Sequence, residues 1–157
     1  MNADIQIALP ARAENIALVR HALGAIGDVR ELDAQILSDI RLAVTEACTN
    51  VVVHAYPDGG EGPMEVLTSV TEDELLVIVR DEGRSLGPRP ESPGLGLGLP
   101  LIASLTESLE LGHDAHGRTE VRMRFRLNEP PTLEGAGVRE PAGARQPAPV
   151  AGTQVSR

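Results

Sequence analysis

The chain has 157 residues, of which 24% are charged and 41% apolar, a balance that suits one globular domain and excludes a wholly disordered chain. A net charge of −9 with Tyr56 and Phe125 as the aromatics provides neither a phosphate-neutralising face nor a base-stacking platform, which argues against nucleic acid as a direct partner. All 14 basic residues are arginine and Cys48 is the single cysteine, so a lysine Schiff base, a Gly-Lys-Ser/Thr phosphate loop, an internal disulfide and a multi-cysteine zinc site all fall away.

In chain order, Ile5, Ile7 and Leu9 alternate as a short strand that Pro10 interrupts. Ile16, Val19, Leu23 and Ile26 then recur at helical spacing. A stronger helix is predicted from the N-cap residue Asp33 to about His54, carrying Ile36, Ile40, Ala43, Val44, Ala47 and Val51 on one stripe, before Tyr56 to Gly60 stops it. Met64, Val66, Thr68 and Val70, an acidic turn at Glu72 to Glu74, and Leu75, Val77 and Val79 read as a hairpin. A Gly/Pro-rich loop from Glu82 to Gly96 leads to a third helix over roughly Leu99 to Glu107. Leu109 and Leu111, a turn at Asp114 to Gly117 and the run Arg118 to Leu127 form a second hairpin.

In that last strand Val121, Met123, Phe125 and Leu127 face one way, and Arg122, Arg124 and Arg126 face the other as a solvated surface. A sheet with one apolar face takes helices on one side only. The predicted fold is α/β, a two-layer α/β sandwich with a mixed sheet and helices on one face. The domain is assigned to residues 1–127. From Asn128 to Arg157 there are five Pro, four Gly and five Ala, too little apolar surface to offset ordering, so residues 128–157 are predicted to form a disordered tail. The N-terminal residues lack a basic flank followed by a long apolar run, and no stretch approaches the ~20 apolar residues of a membrane span. The expectation is a soluble cytoplasmic protein with no membrane partner.

Three motifs carry chemistry. Glu46 and Asn50 lie four apart on the long helix, at the border of its apolar stripe, where an oxygen from each suits a magnesium ion that keeps most of its waters. Spacing alone favours the plainer reading, a Glu and an Asn on a partly solvated helix edge. Asp81, Glu82 and Gly83 follow a strand directly; a carboxylate there can accept a hydrogen bond from an exocyclic amine, and the glycine admits close backbone approach. Gly94, Gly96 and Gly98 alternate just before a helix start, whose free N–H groups and positive dipole end suit phosphate. The other readings are a surface Asp starting a turn and a flexible Gly-rich connector.

Together, Glu-x-x-x-Asn on a helix, Asp-x-Gly after a strand and Gly-x-Gly-x-Gly before a helix resemble the ATP site of the GHKL superfamily, which includes gyrase, histidine kinases and MutL proteins. The run from Arg41 to Tyr56, RLAVTEACTNVVVHAY, looks most like the anti-sigma factor serine/threonine kinase branch of that superfamily, and the resemblance covers residues 5 to 127. It implies a histidine kinase-like, Bergerat-type ATP-binding domain using ATP and Mg²⁺. Carried over by position, it makes Glu46 the catalytic group acting on the attacking hydroxyl, and Asn50 the magnesium ligand. Asp81 becomes the adenine reader with Gly83 as its supporting turn, and Gly94, Gly96 and Gly98 the phosphate lid. It further implies partner switching between a sigma factor and a STAS-type anti-anti-sigma protein that the domain phosphorylates, and the homodimer common in that branch.

One departure stands out: the family has a second glycine two residues after the position of Gly83, where this chain has Ser85, with Arg84 between. That keeps open a non-catalytic, nucleotide-dependent binding module. The remaining polar residues receive weaker readings. His54 is a packed or capping histidine or borders the pocket, Arg84 and Arg89 are solvent-exposed or reach a terminal phosphate, and Cys48 is a buried thiol. His113 and His116 sit at a turn with no metal assigned.

Overall fold

The computed structural model describes residues 3–56, 61–83 and 98–128. The first strand, β1 (Ile5–Pro10), leads into helix α1 (Ala13–Val29). A tight turn with Glu31 at φ 51° follows, in which the Glu31 and Leu32 N–H groups close back on the Asp28 and Gly27 carbonyls, a left-handed helix stop. Helix α2 (Ala34–Asn50) starts where expected: the Asp33 carboxylate accepts from the Gln35 N–H at 2.8 Å and the Ile36 N–H at 3.4 Å. Past Asn50 the helix does continue to Ala55, but as a π-helical turn over Val51–Ala55. That turn carries Ala55 to the Gly83 turn after the third strand and leaves Tyr56 beside Pro63 and Glu82.

Strands β2 (Pro63–Val70) and β3 (Glu74–Asp81) form the first hairpin; helix α3 (Gly98–Leu105), β4 (Ser108–His113) and β5 (Thr119–Arg126) complete the described elements. The five strands order as β1-β2-β3-β5-β4. The expected mixed pairing needs correction: each described pairing is antiparallel. The crossover through α3 does return β4 in the direction of β3, but β5 of the second hairpin lies between them, so no parallel pair forms.

The core fills the space between one sheet face and the helices. Val19, Leu23 and Ile26 of α1, Ile40, Val44 and Ala47 of α2 and Ile102 of α3 pack on Met64, Val66, Leu75, Val77, Val79, Val121, Met123 and Phe125. The two-layer α/β sandwich with helices on one face is therefore what the chain forms. On the opposite face Arg122, Arg124 and Arg126 pair with Glu120, Glu74 and Glu107 at 2.6–2.7 Å and stay 42–61% exposed. That face is not wholly charged, for Leu67, Leu76 and Ile78 form a small buried apolar cluster on it. Gly94, Gly96, Ser85, Arg84 and Arg89, and the tail from residue 129 on, lie outside the described residues.

Candidate functional site

Strand alternation determines which way Asp81 points. Leu75, Val77 and Val79 are buried core residues, and Asp81 continues their parity. It follows that the carboxyl turns toward the helices and is 2% exposed. Burial pushes its pKa up; the Gly83 N–H, donating to Asp81 Oδ1 at 2.9 Å, and the nearby His113 pull the other way. A carboxyl held in this way is poorly hydrated and favours a specific donor over water.

Gly83 has a steric reason to be glycine. A Cβ there would come within 2.2 Å of the Ala55 carbonyl oxygen, so the turn after β3 is pressed against the end of the π-helical turn. On the other side of the helix end, a Cβ on Gly98 would sit 3.4 Å from the Asn50 side-chain amide, which puts the start of α3 directly against Asn50. Glu46 and Asn50 are both partly exposed on α2, one turn apart, as a pair at the stripe's border should be. The C-terminal end of the long helix thus brings Asn50, Gly83 with Asp81, and Gly98 together; Glu46 stands one turn back on the same helix.

Two residues escaped the sequence reading. Thr119 lies directly across from Asp81 in the β3–β5 ladder and is 5% exposed, and His113 is its partner on β4. The alternation that placed Val121 and Met123 inward extends two residues back to Thr119, so the information was present. Tyr56 is the second: its hydroxyl donates to the Pro63 carbonyl at 2.6 Å and accepts from the Glu82 N–H at 3.0 Å. Nothing in a sequence window links residues 56, 63 and 82.

Cys48 is buried within α2 and its thiol is pushed up to about 12 by that burial. Among the described residues no group of three or more His, Cys, Asp or Glu could hold a metal ion by itself. No described helix is long and apolar enough to cross a membrane.

Comparison with known proteins gives a consistent answer. The histidine kinase-like ATPase domain matches residues 9–125. The serine-protein kinase RsbW of Bacillus subtilis is 34% identical over 143 residues, covering 81% of this chain and 88% of that protein. Its counterpart in Halalkalibacterium halodurans is 35% identical over 126 residues, covering 71% and 76% respectively. Among solved structures, the RsbU and RsbW domains of Rv1364c from Mycobacterium tuberculosis superpose with a TM-score of 0.63 at 23% identity, over 80% of this chain and 33% of that longer one.

Proposed function

Because the chain belongs to the histidine kinase-like ATPase family, we propose that it is an ATP-dependent serine/threonine protein kinase and anti-sigma factor. In this reading it sequesters a sigma factor and phosphorylates a STAS-type anti-anti-sigma protein in the cytoplasm. The observation that carries it is the convergence of Asn50, Asp81–Gly83 and Gly98 at one end of α2, in a chain 34% identical to a serine-protein kinase over most of both lengths.

The chemistry follows from what each side chain can do. Asp81, buried and already accepting one backbone N–H, accepts the exocyclic amine of adenine with its carboxylate. Gly83 lets that turn lie on the helix end. Glu46, at the rim, takes the proton of the attacking hydroxyl, while Gly98, with Gly94 and Gly96, brings backbone N–H groups to the phosphates. The Asn50 amide oxygen is a hard donor suited to magnesium that retains its waters, and Asn50 would hold that ion. Bound there, magnesium supplies charge neutralisation to the triphosphate.

Calorimetric titration with ATP tests the nucleotide half of this reading. Asp81→Asn replaces a charged acceptor by an amide, and such hydrogen bonds are worth roughly 1.5–3 kcal/mol, so affinity should fall about 10- to 100-fold. Wild-type affinity in a folded Asp81→Asn variant would remove Asp81 from the site. A second reading, a binding module in which nucleotide controls partner affinity without phosphoryl transfer, is favoured by Ser85 standing where the family has a glycine.

A further inference from the structure

At the end of the β2–β3 ladder two bonds through a side-chain hydroxyl replace one direct backbone bond. The last paired positions are Met64 and Asp81, and the next to face each other are Pro63 and Glu82. At the other end of the same ladder, the Thr71 N–H donates to the Glu74 carbonyl at 2.8 Å. Stepping from there two residues at a time along an antiparallel pair reaches Pro63 and Glu82, where a direct bond from the Glu82 N–H to the Pro63 carbonyl is due. The Tyr56 hydroxyl stands in its place, accepting from that N–H at 3.0 Å and donating to that carbonyl at 2.6 Å.

Pro63 has no N–H, so this rung could hold only the one bond that the hydroxyl has taken over. The ring is seated tightly: a Cβ on Gly62 would come within 2.0 Å of it. The two strands are therefore held a hydroxyl's width apart immediately after Asp81. From that splayed point the chain turns through Glu82 to Gly83, reaches the Ala55 carbonyl, and returns the Gly83 N–H to Asp81 Oδ1. The residue that opens the ladder and the helix end that receives the turn are neighbours in sequence, Ala55 and Tyr56.

We propose that Tyr56 is the positioning residue of the base-reading carboxylate: strand parity turns Asp81 inward, and by holding Glu82 off Pro63 the Tyr56 hydroxyl sets where along that inward face the carboxyl stands, so that nucleobase discrimination, rather than triphosphate affinity, depends on it. This rests on the reading of Asp81 as the acceptor for the adenine amine. Removing the hydroxyl lets the Glu82 N–H close on the Pro63 carbonyl, which preserves the fold and rotates the turn away from its working position.

The test uses Tyr56→Phe in the full chain and two nucleotides, ATP and purine riboside triphosphate, which lacks only the amine. Loss of one well-placed hydrogen bond should weaken ATP binding about 3- to 10-fold and leave purine riboside triphosphate unchanged. A merely structural role would weaken both nucleotides alike, and that result, or undiminished ATP affinity, overturns the proposal. Asp81→Asn is measured in parallel. If it loses discrimination while Tyr56→Phe keeps it, the positioning role alone is refuted. If Asp81→Asn itself discriminates as wild type does, the adenine reading falls and takes the proposal with it.

Discussion

Replacing Gly83 by alanine would place a Cβ 2.2 Å from the Ala55 carbonyl oxygen, 2.6 Å from its carbon and 2.7 Å from the Ala55 Cβ. Carbon–oxygen contacts normally begin at about 3.3 Å, so roughly 1 Å must be made up. Two backbone segments would have to supply it, since neither neighbour is the end of a flexible side chain. Overpacking of that kind costs about 1–3 kcal/mol, a melting-temperature loss of roughly 3–15 °C for a domain of this size. The displacement also moves the Gly83 N–H that donates to Asp81 at 2.9 Å, so ATP affinity should fall with stability. Gly112→Ala is the control, because nothing lies within 4 Å of the added carbon and an exposed change of this sort stays within about ±0.5 kcal/mol. Scanning calorimetry with and without ATP reads both quantities. A Gly83→Ala protein that melts with the wild type and binds ATP equally well would refute the claim that this turn is pressed on the helix end.

Asp114 and Glu120 supply an acid-sensitive component of stability. Burial alone would raise both carboxyls, but the Arg118 backbone and guanidinium hold Asp114 at about 2, and Arg80 and Arg122 hold Glu120 down. Their contribution is complete above the ordinary carboxylate range near 4 and is lost as pH falls through their lowered values, so Glu120→Gln should flatten the loss of melting temperature as pH falls below that range. Cys48, with its thiol near 12 and no exposed surface, should react with a thiol reagent only as fast as the protein unfolds, and rapid labelling of the native protein would contradict its burial. Removing residues 129–157 should leave the melting temperature nearly unchanged, as their Pro/Gly/Ala composition supplies little apolar surface to bury; a drop of many degrees would show that they pack on the domain.

Period and alternation made most of the layers legible. The 3.6-residue stripe from Ile36 to Val51 located α2 and its sheet-facing side, and the two-residue alternation through β3 and β5 located the core face. The same alternation, followed one step further in each strand, determines that Asp81 and Thr119 point inward together. Pairing was harder to read. Strands β3 and β4 are joined by a helical crossover, which by itself suits parallel neighbours; only the insertion of β5, set by long-range pairing, separates them. The π-helical turn and the Tyr56 bridge were illegible for a related reason. Local propensity gives Val51 to Ala55 as helix, and its widening shows only when Ala55 and Tyr56 meet residues from two distant strands. The side chains that the proposed chemistry uses were named from sequence, while Tyr56, whose hydroxyl bridges Pro63 and Glu82 beside Asp81, was not.

Transfer of the γ-phosphoryl group from radiolabelled ATP to a co-purified STAS-domain protein, compared between wild type and Glu46→Gln, tests the kinase reading most directly. Glu46→Gln keeps shape and hydrogen bonding and removes the basic carboxylate, and general base catalysis contributes about 10²–10⁴-fold. The expected result is labelling of a serine or threonine by the wild type, a fall of about that factor in Glu46→Gln, and ATP binding retained in both. Undiminished transfer by Glu46→Gln would contradict the catalytic role of Glu46, and no transfer from the wild type to a partner it demonstrably binds would contradict the kinase itself.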